Sequence, residues 1–521
     1  MRAGEEEDAL TELDASDGGD APADWTPDLA ESWRRRRGIV RRRNAWDRVT
    51  AWSLGLLVLI SVVLGVALWS GAFWSDLPLA SVGPSPYVAL NSTINGSVDL
   101  ALMPEWMVLL YPGKGNDIAL GEASMTVVWD AVRATLVAMQ AAQFAVASKV
   151  TYKTMAAQAM ALPAGVGVEV YLGSKVQWST WDRALGGPAT WSGIDPQVDR
   201  IVVLPAQPVP DCATGTGTPT GAAVADLFTG ADTGLQVDLN LQDYCNLMGV
   251  LKAQQGGGYP LAPVVPPAGT LPVAPGVLAP VAFNWQPVPL LAEGLDAQSL
   301  AASIFQDPLS VLVRPSADGG SEFHNSDNWA LTVTSSQAEL VLPPPERASV
   351  APPWDIGLQE AVRYVSTRGG WPLTAWLAQS RAQCTLTKCG SAYEYVFSTR
   401  YDNLPVLPPT GTSPAITVRL VGGSGQPVLY ARDVPVPGKP IAGFGGTPID
   451  AAAAVAAVAQ TPPANLLGVS AQVISVFPAW APLQGEMEPA WAVEVDLGNQ
   501  DTETVLVDAY RGSVLGTWPP T

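Results

Sequence analysis

The stretch WAVEVDLGNQDTETVLVDAYRGSVL, residues 491–515, decides the reading of the C-terminal part of the chain. Trp491, Val493 and Val495 alternate with Ala492, Glu494 and Asp496, the period-two pattern of a strand. Residues 498–501 (GNQD) turn the chain, residues 504–509 (TVLVDA) return, and Gly512 turns it again within 510–515. Just upstream, residues 448–460 are alanine-rich and are expected to form a helix, opened by Thr447 and Pro448 as N-cap and first helical residue. A helix followed by antiparallel strands predicts an α+β unit over 438–521.

The same patterns recur upstream. Residues 106–111 (WMVLLY), 167–172 (GVEVYL), 199–204 (DRIVVL) and 235–240 (LQVDLN) read as strands, with a turn at 113–116. Val128, Val132, Leu136 and Met139 recur at helical spacing within 123–139. Residues 205–221 form a Pro/Thr/Gly loop, and 256–280 form an extended proline-rich connection. Asp296 caps a short helix ending near Phe305. Strands are expected at 311–314, 330–334 and 338–342. Leu358, Ala361, Val362 and Val365 make one helix stripe, stopped by Gly369-Gly370. Residues 393–399, 415–421 and 427–432 complete a set of antiparallel strands.

One run lacks any charged side chain: residues 49–74 (VTAWSLGLLVLISVVLGVALWSGAFW). A helix of about 24 residues reaches about 36 Å, enough to cross a hydrocarbon layer of roughly 30 Å. It exceeds the apolar core of a secretory signal peptide, so an anchor is expected rather than a cleaved leader. Arg34, Arg35, Arg36, Arg37, Arg41, Arg42, Arg43 and Arg48 precede the run, and Asp76 follows it. The positive-inside rule then puts the N-terminus in the cytoplasm and the C-terminal bulk outside. Ser61 and Gly65 form a small-xxx-small pair that permits helix–helix contact, and ordinary small residues facing lipid are an equal reading.

The expected organisation is a disordered cytoplasmic arm at 1–45, a single N-terminal transmembrane helix at 46–75, and a multidomain ectodomain of antiparallel sheets with packed helices. Its parts are an N-terminal α/β unit (84–290), a central α+β unit (296–437) and the C-terminal unit (438–521). The chain has 521 residues, 48 % hydrophobic content, 49 Gly and 47 Pro. That supports several packed cores joined by many turns. Formal net charge is -20. Residues 1–48 carry 9 basic and 12 acidic side chains, and the remainder carries 19 and 36. An acidic ectodomain argues against nucleic acid as a partner.

Chemistry is sparse. There are 4 Cys and 1 His. Outside the membrane cysteines tend to pair. Proximity suggests Cys212–Cys245 and Cys384–Cys389, although four cysteines allow three pairings. No ligand spacing for a metal is present. His324 lies in an expected polar turn, 321–328, without a G-x-S-x-G elbow nearby, and reads as a surface residue. Residues 422–425 (GGSG) read as a hairpin turn, not a phosphate cradle. Of the paired acids, Glu486/Glu488 and Glu494/Asp496, the second pair projects from one strand face. It would serve glycan hydrolysis only in a cleft that held the carboxyls about 5–10 Å apart. A solvated strand face is the expectation. No catalytic, cofactor-binding or metal-binding residue is expected.

The pattern W-x-V-x-V, glycine turn, V-x-V-D-A-Y-x-G-x-V-L in residues 491–515 resembles a PepSY-type domain. The wider chain, roughly 45–521, resembles the YycH family. The motifs stand in the same order: one N-terminal span, an entry at 103–111, GVEVYL, DRIVVL, IFQDPLSVLVRP (304–315), AVRYVSTRGGW (361–371) and YEYVFSTRYDNLPV (393–406). Where that family tends to have Tyr-Thr-Asp-Gly, this chain has Phe323-His324-Asn325-Ser326-Asp327. The resemblance implies a membrane-anchored extracytoplasmic regulator of the cell-wall two-component sensor kinase of Gram-positive bacteria, acting by protein–protein contact and not as an enzyme. Its implied partners are the sensor histidine kinase and a companion regulator of the YycI type, with the membrane helix as part of the contact. A protease-inhibitory or cell-wall binding module of the PepSY type is the alternative.

Overall fold

The computed structural model describes residues 97–518, apart from 113, 118–120, 140–146, 152–154, 156–157, 160–161, 163, 188–194, 206–208, 210, 213–219, 230–232, 255–258, 282–284, 306–310, 318, 344–351, 385–388, 422–426, 442–444, 468–469 and 499–501. The arginine block, the expected span at 46–75, Ser61, Gly65 and the glycine turn at 422–425 lie outside the described residues. The described residues form one compact unit. The architecture is mixed: helices packed on three large sheets whose strands pair antiparallel.

The first sheet uses α1 (Val98–Ala101), β1 (Trp106–Tyr111), β2 (Lys114–Asp117), α2 (Gly121–Val137), β3 (Ser148–Val150), β4 (Gly167–Gln177), α3 (Trp178–Ala184), β5 (Gln197–Pro205), β6 (Thr220–Thr229), β7 (Thr233–Asn240) and α4 (Leu241–Ala253). Its strand order is β2-β1-β4-β5-β6-β7-β3. The turn expected at 113–116 is instead mostly strand: the chain reverses at once, and Lys114 pairs with Tyr111. The loop expected through residue 221 already contains the start of β6. Helix α4 follows from Asn240, whose side chain accepts from the Asp243 amide, and from Tyr244, Leu247, Met248 and Leu251, all buried on one face.

Both faces of this sheet are covered, which explains the near-continuous apolar runs of β1, β4 and β5. Met107, Leu109, Val168, Val170, Ile201 and Val203 face a core built with α2 and α4. Trp106, Val108, Leu110, Tyr171, Val202 and Leu204 face a second core. The expected stripe of α2 (Val128, Val132, Leu136) and Met139 is buried in the first core.

Next come β8 (Leu261–Pro263) and β9 (Leu278–Pro280), a short two-stranded ladder within the proline-rich connection, then β10 (Val288–Leu291) and α5 (Ala297–Ile304), capped by Asp296. The second sheet uses β11 (Leu312–Pro315), β12 (Ser321–His324), β13 (Ala330–Val333), β14 (Ala338–Val341), α6 (Trp354–Thr367), β15 (Trp376–Cys384) and β16 (Cys389–Ser398). After a small ladder of β17 (Arg400–Tyr401) and β18 (Leu404–Pro405), β19 (Ile416–Val421) and β20 (Pro427–Arg432) complete it. The order is β11-β12-β13-β14-β20-β19-β16-β15. Leu358, Ala361, Val362 and Val365 of α6 are buried, as their spacing predicts. His324 ends strand β12, paired with Leu312 and Ala330, so the polar turn expected over 321–328 begins only after it. Sheets one and two meet where β15 passes β4. A Cβ on Gly173 would lie 2.3 Å from the Trp376 ring and 2.9 Å from the Ala378 carbonyl, so the approach requires glycine. The Ser174 and Ser380 hydroxyls close the contact at 2.6 Å.

The third sheet uses β21 (Val436–Pro437), α7 (Ala451–Gln460), β22 (Gln472–Leu483), β23 (Glu486–Asp496), β24 (Thr502–Asp508) and β25 (Val514–Trp518). The hairpin at 491–515 forms as read: Trp491 pairs with Val507 and Val493 with Val505. Strand β22 runs the length of β23 on its other side, and β10 continues the sheet through Val288–Met487 and Leu291–Val436 pairs. The expected cap of α7 is corrected: Asp450, not Thr447, is the N-cap, and its carboxylate accepts from the Ala453 amide at 2.7 Å. The helix therefore starts at Ala451, past Pro448.

Candidate functional site: a charged seam between two sheets

The first and third sheets pack face to face in the second core. Trp106 of β1 stacks on Phe477 of β22 with ring centroids 5.6 Å apart. The small side chains of Ala479, Ala490 and Ala492 lie in the same core. Into this apolar layer the sequence inserts charge. In the register of the first sheet Trp106, Tyr171 and Arg200 are neighbours across three strands, with Glu169 two pairs further along. Arg200 is 3 % exposed; its Nη2 donates to Glu494 of β23 at 3.1 Å, and its Nε lies 3.8 Å from Glu169. The guanidinium sits 4.4 Å over the Tyr171 ring. Arg400 of β17 donates to the Pro104 carbonyl and lies 5.1 Å over the Trp376 ring. Lys175 and Asp199 pair at 3.7 Å.

Glu105 immediately precedes β1, its amide donating to the Tyr171 carbonyl at 2.8 Å. Burial, and then the carboxylate of Glu494, push its carboxyl up to about 8, against the pull of Arg400. Burial also raises Glu494, with Asp199 and Glu169 adding to it and Arg200 and Lys175 opposing. The seam is thus a shared electrostatic cluster in which Arg200 is buried and Glu494 keeps 22 % of its side chain exposed.

The solvated strand face expected for Glu494 and Asp496 is corrected. Glu494 is ion-paired to Arg200, and Asp496 is 8 % exposed with its Oδ1 accepting from the Gly498 amide at 2.9 Å. Both carboxylates are committed to packing and turn formation. The other acid pair divides. Glu488 lies 3.8 Å from Arg511, and burial raises its carboxyl, with Asp508 adding and Arg511 opposing. Glu486 sits opposite Pro289 of β10. Asp508 accepts from the Tyr510 and Arg511 amides at 2.8 Å, which explains why V-D-A-Y-x-G turns as it does. His324 lies 3.5 Å from Glu322 and is 38 % exposed.

Cys212 and Cys245 form a disulfide, with Cα atoms 5.5 Å apart, fastening the loop after β5 to α4. Cys384 and Cys389 are register partners closing the β15–β16 hairpin; their side chains lie outside the described residues. No group of three or more metal-ligating side chains converges among the described residues.

Arg200, Glu169, Glu105 and Arg400 were absent from the sequence-derived candidates. The available signal was charge inside an otherwise apolar strand, Glu169 in GVEVYL and Arg200 beside Asp199 in DRIVVL. A charge at such a position demands a partner. Their partner Glu494 lies 294 residues from Arg200, and no local pattern points to it.

The helices and antiparallel sheets thus define a mixed α/β protein that ends in a helix followed by antiparallel strands. No family model and no curated protein matches the sequence. Among solved structures, that of YycH from Bacillus subtilis matches with a TM-score of 0.50 at 14 % identity, over 78 % of this chain and 97 % of that one. The chain therefore has the YycH fold, as the order of its motifs implied. Two smaller structures also align: the C-terminal domain of YpeB from Bacillus megaterium (TM-score 0.27, 10 % identity, 44 % of this chain and 97 % of that one) and an uncharacterized protein from Eubacterium rectale (0.29, 8 %, 46 % and 90 %).

Proposed function

We propose that this protein is a membrane-anchored extracytoplasmic regulator that modulates a cell-wall two-component histidine kinase by protein–protein contact. The observation that carries the reading is the fold shared with nearly the whole of YycH. The uncharged run at 49–74 and the eight arginines before it support a single-pass anchor with the folded mass outside. No helix among the described residues is long and apolar enough to cross a membrane, so the anchor rests on that run. The seam chemistry agrees with a contact role, because Glu494 is ion-paired to Arg200 and Asp496 accepts from the turn at Gly498.

Such a protein shifts a kinase only by binding its two signalling states with different affinity. The membrane helix, with Ser61 and Gly65 on a closely approachable face, is one contact; the ectodomain is the other. A companion regulator of the YycI type is the further partner. A second disulfide, Cys384–Cys389, belongs to the same proposal, supported by the register pairing of their Cα atoms.

The test is cross-linking in intact membranes followed by purification of the full chain, together with a reporter of response-regulator output. Enrichment of a histidine kinase, and an output altered by deletion of the chain, are expected. No kinase among the cross-linked species and an unaltered output overturn the proposal. Shaving intact cells with protease is expected to remove the C-terminal part and spare the arm at 1–45.

A further inference from the structure

The second sheet ends on β11, which among the described residues pairs with β12 alone, so its other side is a free edge. Two turn hydrogen bonds fix which backbone groups face that edge. The Ser316 amide donates to the Gly320 carbonyl at 2.9 Å, and the Asn325 amide to the Trp329 carbonyl at 3.3 Å. Antiparallel ladders alternate bonded and non-bonded pairs. Counting back from Ser316 and Gly320, the pairs bonded to β12 are Arg314–Glu322 and Leu312–His324. Counting back from Asn325 and Trp329 turns the Phe323 backbone toward Leu331 and leaves Glu322 and His324 for β11, the same phase. The amides and carbonyls of Val311 and Val313 therefore point away from the sheet. The side chains there are apolar and uncovered: Leu312 and Val313 are 52 % and 50 % exposed. The first sheet, by contrast, ends on β2 (KGND) and β3 (SKV), which carry charge in place of an apolar pair. An apolar edge with unmet backbone groups is a template for another strand.

We infer that β11 is a self-association strand, which pairs antiparallel with β11 of a second copy of this chain about a two-fold axis through Leu312. A two-fold contact must match itself. In this register Leu312 meets its own counterpart, and Val313 of each copy meets Val311 of the other. Every outward amide and carbonyl of Val311 and Val313 is then paired, and Pro315, which has no N–H to give, falls outside the paired segment. Charge selects the same register. The chain as a whole carries a net charge of -20, which holds copies apart, but this edge balances Arg314 against Glu322 on one face. Centring the pair on Val313 would set the two Arg314 side chains on a diagonal, and centring it on Arg314 would set them face to face; both are like-charge contacts. Centring on Leu312 parts them by four strand positions, roughly 14 Å. The outer face extends the contact, because Leu312 stands in register through His324 and Ala330 with Val341, also half-exposed. Two strands this short bury less than a stable interface needs, so the pair is weak in dilute solution and grows with local concentration. The inference rests on the edge alone and stands whether or not the kinase is the partner.

The experiment is cysteine cross-linking of the full chain in detergent micelles, oxidised with copper phenanthroline and read on non-reducing gels, with the wild type as blank. Leu312→Cys is expected to give a disulfide-linked dimer, because opposed residues of a non-hydrogen-bonded pair have Cα atoms about 4.5 Å apart. Arg314→Cys, roughly 14 Å from its counterpart, is expected to give at least about tenfold less. Adding Val313→Pro to the Leu312→Cys chain removes an amide that faces away from β12, so far-ultraviolet circular dichroism is expected to stay the same while the dimer yield falls about tenfold. Should Val313→Pro not fold, Val313→Lys decides, since it charges the edge without touching the backbone and must lower the yield likewise. No dimer from Leu312→Cys overturns the inference. Equal yields at 312 and 314, the mark of chains joined elsewhere, or a yield untouched by the residue 313 variant, overturn it too.

Discussion

The guanidinium of Arg432 and the carboxylate of Glu293 meet inside the protein, with Nε donating to the two carboxylate oxygens at 2.9 and 3.1 Å and Nη2 donating to Oε1 as well. The side chains are 1 % and 0 % exposed. Nη1 donates to the Gly370 carbonyl at 2.8 Å, so one arginine at the end of β20 fixes the segment before α5 and the glycine turn after α6. Removing one partner leaves an uncompensated buried charge. Arg432→Met is expected to cost about 3–5 kcal/mol, and Arg432→Met with Glu293→Leu to cost much less. Urea denaturation midpoints of the three chains check this; equal losses in the single and double variants would mean that the pair is not coupled.

The Cys212–Cys245 bridge closes a loop of 33 residues. By loop-closure entropy its removal through a double Cys→Ser change is expected to cost about 3–4 kcal/mol. The loss should be matched by adding reductant to the wild type, and limited proteolysis should reach the β5–β6 connection first. An unchanged melting curve in reductant contradicts the assignment.

Trp106 and Phe477 carry the apolar part of the seam. Trp106→Ala is expected to destabilise by about 3–5 kcal/mol and Phe477→Leu by less than about 1.5 kcal/mol, because the second nearly conserves volume. Thermal unfolding followed by near-ultraviolet circular dichroism distinguishes the two.

Asp182 of α3 is 1 % exposed, and neither of its carboxylate oxygens accepts a hydrogen bond. Burial pushes its carboxyl up to about 6 from 3.8, with Arg183 pulling the other way. The folded state therefore holds this proton more tightly than the unfolded chain. The group's contribution is complete at low pH and is lost as pH rises from about 3.8 to about 6. Asp182→Asn is expected to stabilise the protein by about 1–3 kcal/mol at neutral pH, with the gain shrinking as pH falls through that window. Denaturant titrations at several pH values test it; a gain independent of pH excludes titration as its cause.

Much of the fold was legible where one physical pattern acted alone. The hairpin at 491–515 alternates cleanly, and the stripes of α2 and α6 recur at helical spacing, because each segment presents one face to one core. Strand β22 was missed because its residues QVISVFPAWAPL are buried on both faces, which erases alternation, and because Pro478 and Pro482 read as breakers. Both prolines are accommodated within the ladder to β23. Helix α4 carried its signal in Asn240 and the Tyr244–Leu247–Leu251 spacing, obscured by the Cys/Asn/Gln content of its exposed side. The seam was illegible for another reason: Arg200 and Glu494 are joined only by the packing of two sheets, and sequence pattern reports which face a residue takes, not what it meets there.

Strand β10 is made early in the chain, yet its neighbours are Val436–Pro437 and the start of β23, from Val288 to Met487 along the polypeptide. Until that late segment has been synthesised, β10 lacks its ladder partners and Trp106 lacks Phe477. Such distant pairing is slow to assemble and leaves sticky surface waiting. Chains that stop short of β23 should therefore accumulate as aggregates or be degraded instead of persisting as shortened proteins, which makes late frameshifts in this gene as damaging as early ones.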